Sequence, residues 1–431
     1  MNNSDLRAWF VRSWPLLGLL FIAAIWLYRT PYSASNLEVL PDSVEYALAP
    51  LQLLETGRYE IIVEGRGLPP RYPPWFPVLV ILPAYLLFGH EPGNAILPIT
   101  VLAVGGVGLA YAIGKRISLT AGGVLAALVV LSVPAYGHWS AKVMTDVPCT
   151  TLMLGACLLY LHLRARSGAP RLYFAAGVLV AVTTLFRPVF ASMLLPFLLA
   201  IVTQRKNLFL RTGALLTPVA AAAAATFTYN AATFGSPFRT GYKFWLPAPM
   251  DYPSMVFSLS HIRANLTVIG LIGVPILFLA FVAAIFLARS FRPAGFAASR
   301  ESYRGALLFF ALTAGPILLF HIIYFFPDDR FYLPILAGLA VLTGSILGLV
   351  VGPGRETPLK VLLLVIFLVA VAVRLVPPAA TPSRRLAADQ VRQHTPENAV
   401  IISGIDPVYL ARLAGRGSAR RIVPLSRNVE F

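Results

Sequence analysis

Apolar runs recur along almost the whole chain, and short polar segments rich in arginine and lysine separate them. A helix of about 20 apolar residues is long enough to cross the ~30 Å hydrocarbon core of a bilayer. The pattern predicts eleven membrane spans, at residues 14–30, 96–114, 119–136, 148–163, 172–186, 189–203, 212–232, 265–288, 305–326, 331–351 and 359–376. The fold class expected is therefore an all-α polytopic membrane protein.

The charges between the runs orient the predicted spans. Arg7 and Arg12 precede the first span, and Lys115 and Arg116 follow the second. Basic loops are retained on the cytoplasmic side of a membrane. The N-terminus and the basic connection that follows the second span should therefore lie inside. The long segment between the first and second spans, and the connection between the third and fourth spans, should lie outside.

The first outer loop, residues 31–95, contains one more apolar stretch at residues 74–88. This stretch is short, and Pro77 and Pro83 interrupt it. If it crossed the bilayer, the basic pair after the next span would lie outside, against the positive-inside rule. We therefore expect an interfacial or re-entrant helix that does not cross.

Composition divides the chain into two regions. Residues 1–376 form a predicted transmembrane bundle, whereas residues 377–431 are polar and arginine-rich, with one strand-like run at residues 399–403. A segment of about fifty residues forms only a marginal core of its own. We expect a short extracytoplasmic α/β-like tail that docks on the bundle or begins a longer domain.

Composition also excludes several classes of protein. The chain is 58% hydrophobic and 12% charged, whereas soluble domains carry about 25% charged residues. The net charge of +17 comes from basic inner loops, so no nucleic-acid partner is predicted. The sequence has no phosphate-cradling glycine loop with a lysine and no metal-spaced histidine cluster. Cys149 and Cys157 share one apolar segment, so no disulfide framework is implied.

The chain has only 18 acidic residues, and several lie where predicted spans reach the outer face. Asp42, Glu45 and Tyr46 are three and four residues apart, so in a helix they share one face. A partly desolvated carboxylate at a membrane surface can act as a general base. The alternative is an ordinary helix start, because Pro41 suits a first turn and Asp42 favours a helix N-terminus.

A second acid, Asp146, immediately precedes the span predicted at residues 148–163. An ionisable group at the end of a span is costly, which indicates a functional site. The alternative is a helix cap that pairs with Lys142.

Three arginines lie at the predicted outer face, where their planar guanidinium groups suit a phosphate. Arg71 precedes the interfacial helix, Arg187 occupies a short outer turn, and Arg330 follows Asp328 and Asp329. The alternatives are membrane anchoring for Arg71 and Arg187, and a capped turn with an internal ion pair around Arg330.

Taken in order, these segments resemble the GT-C class of membrane glycosyltransferases, nearest to the protein O-mannosyltransferases and the bacterial transferase that adds aminoarabinose to lipid A. The residues that carry the resemblance are Asp42 with Tyr46, Tyr72-Pro73-Pro74, Phe88-Gly89, Asp146, the run from Arg330 to Pro334, the stretch from Phe234 to Tyr242, and residues 396–400. Two features depart from the pattern: Trp75-Phe76 follows the proline pair, and the C-terminal segment is short.

The resemblance implies transfer of a sugar from a polyprenyl-phosphate donor to a hydroxyl group of a glycan, lipid or protein, with inversion, at the outside of the plasma (bacterial inner) membrane. Asp42 would be the general base, and Glu45 and Asp146 would position the acceptor or the sugar. Arg330, helped by Arg71 or Arg187, would stabilise the departing phosphate. Tyr46, Tyr72, Lys142 and Asp329 complete the expected substrate-binding set. The acidic cluster leaves open a divalent cation, Mg²⁺ or Mn²⁺.

Two other classes share the hydrophobicity and the loop pattern. A transporter or flippase of lipid-linked sugars predicts ionisable residues inside the spans, facing a cavity. The predicted spans contain almost none away from their ends, which favours an interfacial enzyme. A surface-polysaccharide ligase or polymerase is the third alternative.

Overall fold

The computed structural model describes residues 15–21, 23–24, 41–63, 66–165, 169–271, 273–291, 296–350, 384–403, 410 and 421–424. After helical residues at 15–21 and 23–24, the described helices of ten or more residues are α1 (Pro41–Thr56), α2 (Ile96–Ser132), α3 (Asp146–Ala165), α4 (Pro170–Phe186), α5 (Leu194–Gln204), α6 (Leu208–Phe234), α7 (Ile262–Leu271), α8 (Val274–Phe291), α9 (Phe296–Ile322), α10 (Leu333–Val350) and α11 (Arg384–His394). The strands are β1 (Ile61–Val63), β2 (Arg66–Leu68), β3 (Val400–Ser403) and β4 (Arg421–Pro424).

Helix α2 is a hairpin of two antiparallel helices. Its backbone leaves helical geometry at Ser118 (φ −143°) and Leu119 (φ 59°). Beyond this point the chain returns along itself, so that a Cβ on Gly123 would lie 2.8 Å from the carbonyl oxygen of Tyr111. The reversal predicted between residues 114 and 119 is confirmed, and small residues permit the close approach of the two halves.

Glycines also allow other helices of the bundle to pack closely. A Cβ on Gly344 of α10 would lie 2.5 Å from the backbone of Ala126 in the second half of α2. In the same way, a Cβ on Gly177 of α4 would clash with the backbone of Leu215 in α6. Because the bilayer offers no hydrophobic drive between helices, such close backbone contacts are a main source of association.

Five described helical segments are long and apolar enough to cross a membrane: Pro92–Ser132, Asp146–Ala165, Leu208–Phe234, Arg300–Ile322 and Asp329–Leu349. Shorter apolar helices lie at Pro77–Phe88, Pro170–Phe186 and Pro188–Gln204. A multi-pass, all-α membrane protein is thus confirmed, whereas the count of eleven spans stays a prediction. The predicted span at residues 359–376 lies outside the described residues, as does much of that at residues 14–30.

The structure corrects one predicted span. Residues 265–288 do not form a continuous helix, because α7 ends at Leu271 and α8 begins at Val274. Gly273 between them has φ +78°, a left-handed conformation that glycine adopts without a steric cost and that ends a helix.

The first outer loop is folded around α1. Strands β1 and β2 form an antiparallel hairpin, and a π-helical turn at Pro77–Ile81 continues into the helix Leu82–Phe88. The hydroxyl of Tyr85 donates a hydrogen bond to the carbonyl oxygen of Ala47 (2.9 Å). This bond ties the predicted interfacial helix to α1.

The C-terminal segment contains both a helix and strands. Helix α11 precedes β3, which pairs in parallel with β4 so that Val400 lies opposite Arg421. The strand-like run predicted at residues 399–403 is therefore confirmed. The predicted domain boundary at residues 376–377 lies outside the described residues.

Candidate active site

The N-terminal turns of α1 carry the first acidic pair. Asp42 lies in the first turn, and Glu45 and Tyr46 follow on the same face, as the spacing predicts. Glu45 and Tyr46 are buried, whereas the Asp42 side chain keeps 16% of its surface exposed. Asp42 is thus the member of this group that a substrate can reach.

Arg71 joins this face from the segment before the interfacial helix. Its backbone N–H donates to Glu45 Oε2 (2.7 Å), and its Nε donates to Glu45 Oε1 (2.5 Å). Burial raises the pKa of Glu45 to about 7, although Arg71 opposes this rise. Held by two bonds, Arg71 turns Nη2 toward Asp42 Oδ1 at 3.4 Å. Glu45 therefore positions Arg71.

Asp42 also pairs with Arg330. Arg330 Nη1 lies 3.0 Å from Asp42 Oδ2. Burial by itself would raise the pKa of Asp42, but Arg330 and Arg71, with a hydrogen bond from Tyr72, hold it below its ordinary value. The carboxylate is therefore kept ionised between two cations.

A short turn at Asp329–Tyr332 positions Arg330. Asp328 caps this turn, since its Oδ1 accepts a hydrogen bond from the backbone N–H of Arg330 (3.1 Å). The other carboxylate oxygen lies 3.0 Å from Arg330 Nε, close enough for an ion pair although not aligned for a hydrogen bond. Arg330 therefore makes the ion pair within its own capped turn and the contact with Asp42 at the same time.

A second acid–arginine pair lies beside the first. Asp146 Oδ1 accepts a hydrogen bond from Arg187 Nη1, and the Asp146 side chain is only 2% exposed. The Arg187 guanidinium lies 4.8 Å from the ring centre of Phe331, and that of Arg330 lies 5.2 Å from the same ring. Both arginines therefore approach the same aromatic ring.

His321 is a site residue that the sequence reasoning missed. It is buried near the end of α9 and stacks on Phe331 at 4.5 Å. Its Nδ1 lies 2.8 Å from the carbonyl oxygen of Ile317, so Nδ1 carries the hydrogen and Nε2 of the neutral ring is an acceptor. Together with Asp146, Arg187 and Arg330 it lines a narrow recess. The available signal was an ionisable residue just inside a predicted span.

Tyrosines cover the other side of Asp42. The rings of Tyr46 and Tyr72 lie 4.3 Å apart, and the Tyr242 hydroxyl donates to the Tyr72 hydroxyl at 2.8 Å. Gly241 permits this contact, because a Cβ there would lie 2.6 Å from the carbonyl carbon of Arg71. Tyr242 belongs to the stretch from Phe234 that the sequence singled out without a role.

Lys142 and Asp329 lie around an indole rather than at Asp42. Trp139 Nε1 donates to Asp329 Oδ1 (2.8 Å), and Lys142 Nζ lies 4.7 Å from the Trp139 ring centre. Arg330 approaches the same ring at 5.7 Å. Lys142 and Asp329 therefore both contact Trp139, which lies beside Arg330. Direct binding of substrate by these two residues stays a prediction.

The carboxylates of the site are paired with arginines rather than grouped around a common point. Among the described residues no group of three or more histidine, cysteine or acidic side chains could hold a metal ion. Asp42, Glu45 and Asp146 are each paired with an arginine. Guanidinium groups suit a phosphate, and the divalent cation that the sequence left open stays open.

One segment of the chain matches a known protein family. Residues 72–230 match the family described as dolichyl-phosphate-mannose-protein mannosyltransferase. No curated protein matches the chain. This segment includes Tyr72, Asp146 and Arg187 but neither Asp42 nor Arg330.

Solved structures extend the similarity over the whole chain. ArnT from Cupriavidus metallidurans, bound to undecaprenyl phosphate, aligns with a TM-score of 0.60 and 14% identity over 100% of this chain and 87% of that one. The oligosaccharyltransferase AglB from Archaeoglobus fulgidus, in complex with an inhibitory peptide and a dolichol-phosphate, aligns with a TM-score of 0.58 and 13% identity over 97% of this chain and 65% of that one. At these identities the comparisons establish a shared fold.

Proposed function

We propose that this chain, whose GT-C glycosyltransferase fold confirms the resemblance drawn from its sequence, transfers a sugar from a polyprenyl-phosphate donor to a hydroxyl acceptor. The reaction would take place at the extracytoplasmic face of the plasma (bacterial inner) membrane. The matching family is named for a lipid-phosphate-linked sugar, and both structural neighbours were solved with a polyprenyl or dolichyl phosphate. These names support a lipid-phosphate donor for this chain.

The observation that carries the proposal is the contact between Asp42 and Arg330. It brings the most accessible carboxylate of the α1 face within 3.0 Å of a guanidinium that also lines the recess with Arg187. A glycosyl transfer needs a base on one side of the sugar and a stabiliser of the departing phosphate on the other. The site supplies both groups, and Asp42 and Arg330, which are in contact here, would have to separate for the sugar to lie between them.

The proposed transfer forms one bond to the anomeric carbon and breaks another. The acceptor hydroxyl oxygen attacks the anomeric carbon of the sugar, and Asp42 takes the hydroxyl proton. A new carbon–oxygen bond forms as the bond between the anomeric carbon and the phosphate oxygen breaks, and its electron pair stays on the phosphate. Attack from the face opposite to the phosphate inverts the anomeric centre. The products are the glycosylated acceptor and the free polyprenyl phosphate.

The other residues would position the reacting groups. Arg330 and Arg187 would bind the phosphate, on which negative charge grows as the bond breaks. A fixed charged donor of this kind contributes roughly 3–4 kcal/mol to the transition state, as an oxyanion-hole donor does. The rings of Tyr46 and Tyr72 would face the sugar or the acceptor, which is a glycan, a lipid or a protein.

The experiment that tests the proposal measures sugar transfer by the protein in lipid. A panel of polyprenyl-phosphate sugars is supplied, and release of free polyprenyl phosphate is followed. Asp42→Asn is expected to lower turnover by about 10²–10⁴-fold, the contribution of a general base. Asp251→Asn is the matched control, because that carboxylate is about half exposed and pairs loosely with Lys243 (3.8 Å).

Two outcomes would refute the proposal. Normal turnover by Asp42→Asn would remove the base assignment. Movement of the lipid-linked sugar across the bilayer, without release of polyprenyl phosphate from any donor, would indicate a flippase instead.

A further inference from the structure

Arg330 is shared between two parts of the site. Nη1 pairs with Asp42, Nε lies 3.0 Å from Asp328, and the guanidinium lines the recess that also contains Arg187 and His321. Only 11% of the side chain is exposed. The recess has no room for a water molecule in this structure, so an anion can reach Arg330 only if a carboxylate gives up its place on the guanidinium.

We propose that the donor phosphate displaces Asp42 from Arg330, so that Asp42 becomes a competent base only when the donor is bound. The inference rests on the proposed function and adds a rule of order to it: the lipid donor binds first, and the acceptor is deprotonated afterwards. The ligand that operates the exchange is the phosphate of a polyprenyl lipid.

Burial decides which ion pair yields to the phosphate. The recess is lined by two arginines, each already paired with an acid, Arg187 with Asp146 and Arg330 with Asp42. A carboxylate that loses its partner in a dry site is strongly destabilised. Asp146 is 2% exposed and would stay dry, whereas Asp42 is 16% exposed and can be hydrated or receive the acceptor.

The contacts that remain after the exchange also favour Asp42. Its Oδ1 keeps Arg71 at 3.4 Å, and Tyr72 still donates a hydrogen bond to the carboxylate. Arg330 keeps Asp328 on its Nε and on its backbone N–H. The planar guanidinium turns as one unit about the Cδ–Nε bond, which also breaks the 3.1 Å contact of Nη1 with Met144 Sδ.

The exchange changes the basicity of Asp42. A carboxylate near a guanidinium has its pKa lowered by about 1–3 units, and in the resting site two arginines act on Asp42. Loss of the contact with Arg330 should therefore raise the pKa of Asp42 part of the way back toward its ordinary value. The charged and titratable groups that face Asp42 are Arg71, Tyr72, Tyr242, Tyr324 and Arg330 from other segments, and Glu45 and Tyr46 from its own helix.

The test measures the protonation of Asp42 directly and does not depend on turnover. A hydrophobic carbodiimide modifies protonated carboxyl groups, and peptide mass spectrometry distinguishes Asp42 from Glu45. The full-length protein in phosphatidylcholine nanodiscs is labelled across a range of pH, with saturating undecaprenyl phosphate or with undecaprenol, which lacks the phosphate. Binding of the lipid is measured separately.

The expected result is an upward shift of the Asp42 labelling midpoint by about 1–3 pH units with undecaprenyl phosphate and no shift with undecaprenol. In Arg330→Gln the midpoint should already be raised without lipid, and saturating lipid, still held by Arg187, should add less than it does in the wild type.

The outcomes separate this inference from the proposed function. If undecaprenyl phosphate binds and the midpoint stays unchanged, the exchange is wrong while the donor site stands. An equal shift in Arg330→Gln and in the wild type also overturns the exchange, because the phosphate would then act through its charge alone. If undecaprenyl phosphate does not bind, the proposed donor is wrong and the inference is wrong with it.

Discussion

Substitution of Gly241 by alanine tests how closely the segment that carries Tyr242 must pack against Arg71 and Tyr72. A Cβ at this position would lie 2.6 Å from the carbonyl carbon and the Cα of Arg71. Carbon atoms pack comfortably at about 3.5–4.0 Å, so one of the two backbones must move by about 1 Å. Neither can relieve the contact by a side-chain rotation, since the atoms that meet belong to the main chain.

The displacement has a cost that can be worked out from the contacts. It breaks the 2.8 Å hydrogen bond between Tyr242 and Tyr72 and strains the 2.8 Å bond from Trp245 Nε1 to the carbonyl oxygen of Pro69. Each contributes about 1 kcal/mol net, so docking of the segment weakens by about 2 kcal/mol. Arg71 and Tyr72 both contact Asp42, and a 1 Å misplacement near reacting groups lowers a rate by about 10²-fold.

The assay compares turnover of Gly241→Ala with that of the wild type in lipid. Gly213→Ala is the matched control, because nothing lies within 4 Å of a Cβ at this position in α6. The control should keep full turnover, whereas Gly241→Ala should lose about 10²-fold and still fold. Wild-type turnover by Gly241→Ala would refute the argument that this packing positions Arg71 and Tyr72.

Two further predictions concern the buried acids. Arg187→Met should lower the free energy of unfolding by about 3–5 kcal/mol, because it leaves Asp146 buried without a cation. Adding Asp146→Asn should restore much of this loss, as measured by thermal unfolding. A double variant as unstable as the single one would contradict the pairing. Burial raises the pKa of Glu45 from 4.5 to about 7, so within that window the folded carboxyl holds a proton that the unfolded chain has released. Wild-type stability should therefore fall as pH rises through the window, Glu45→Gln should lack the fall, and parallel pH profiles of the two unfolding temperatures would argue against it.

Elements that depend on local pattern were predicted well. The helical hairpin in α2, the helix that begins at Pro41, and the strand at residues 400–403 all follow from signals within a short window. The break between α7 and α8 was missed, because a glycine inside a long apolar run does not show whether its backbone adopts a positive φ.

The sequence placed the acids and arginines at one end of the bundle but did not assign their partners. For Asp146 the sequence offered a functional role or a helix cap that pairs with Lys142, and it did not identify Arg187, 41 residues along the chain, as the donor to this carboxylate. Trp139 and His321 were not singled out as site residues, and Tyr242 was singled out without a role. A lone tryptophan, histidine or tyrosine near the end of a span carries no local sign of what it contacts.

The sequence by itself therefore determined that the chain is a multi-pass helical membrane protein and that several of its rare carboxylates lie near the ends of apolar runs, whereas the count and the orientation of the spans stay predictions. These properties follow from hydrophobicity and charge, which act on each segment separately. Only the tertiary structure decided that Arg330 bridges Asp42 and Asp328, and that Arg187 and Arg330 approach the same ring of Phe331. Such contacts depend on how helices distant in sequence pack, and packing to within about 1 Å is a property of the whole bundle rather than of any one segment.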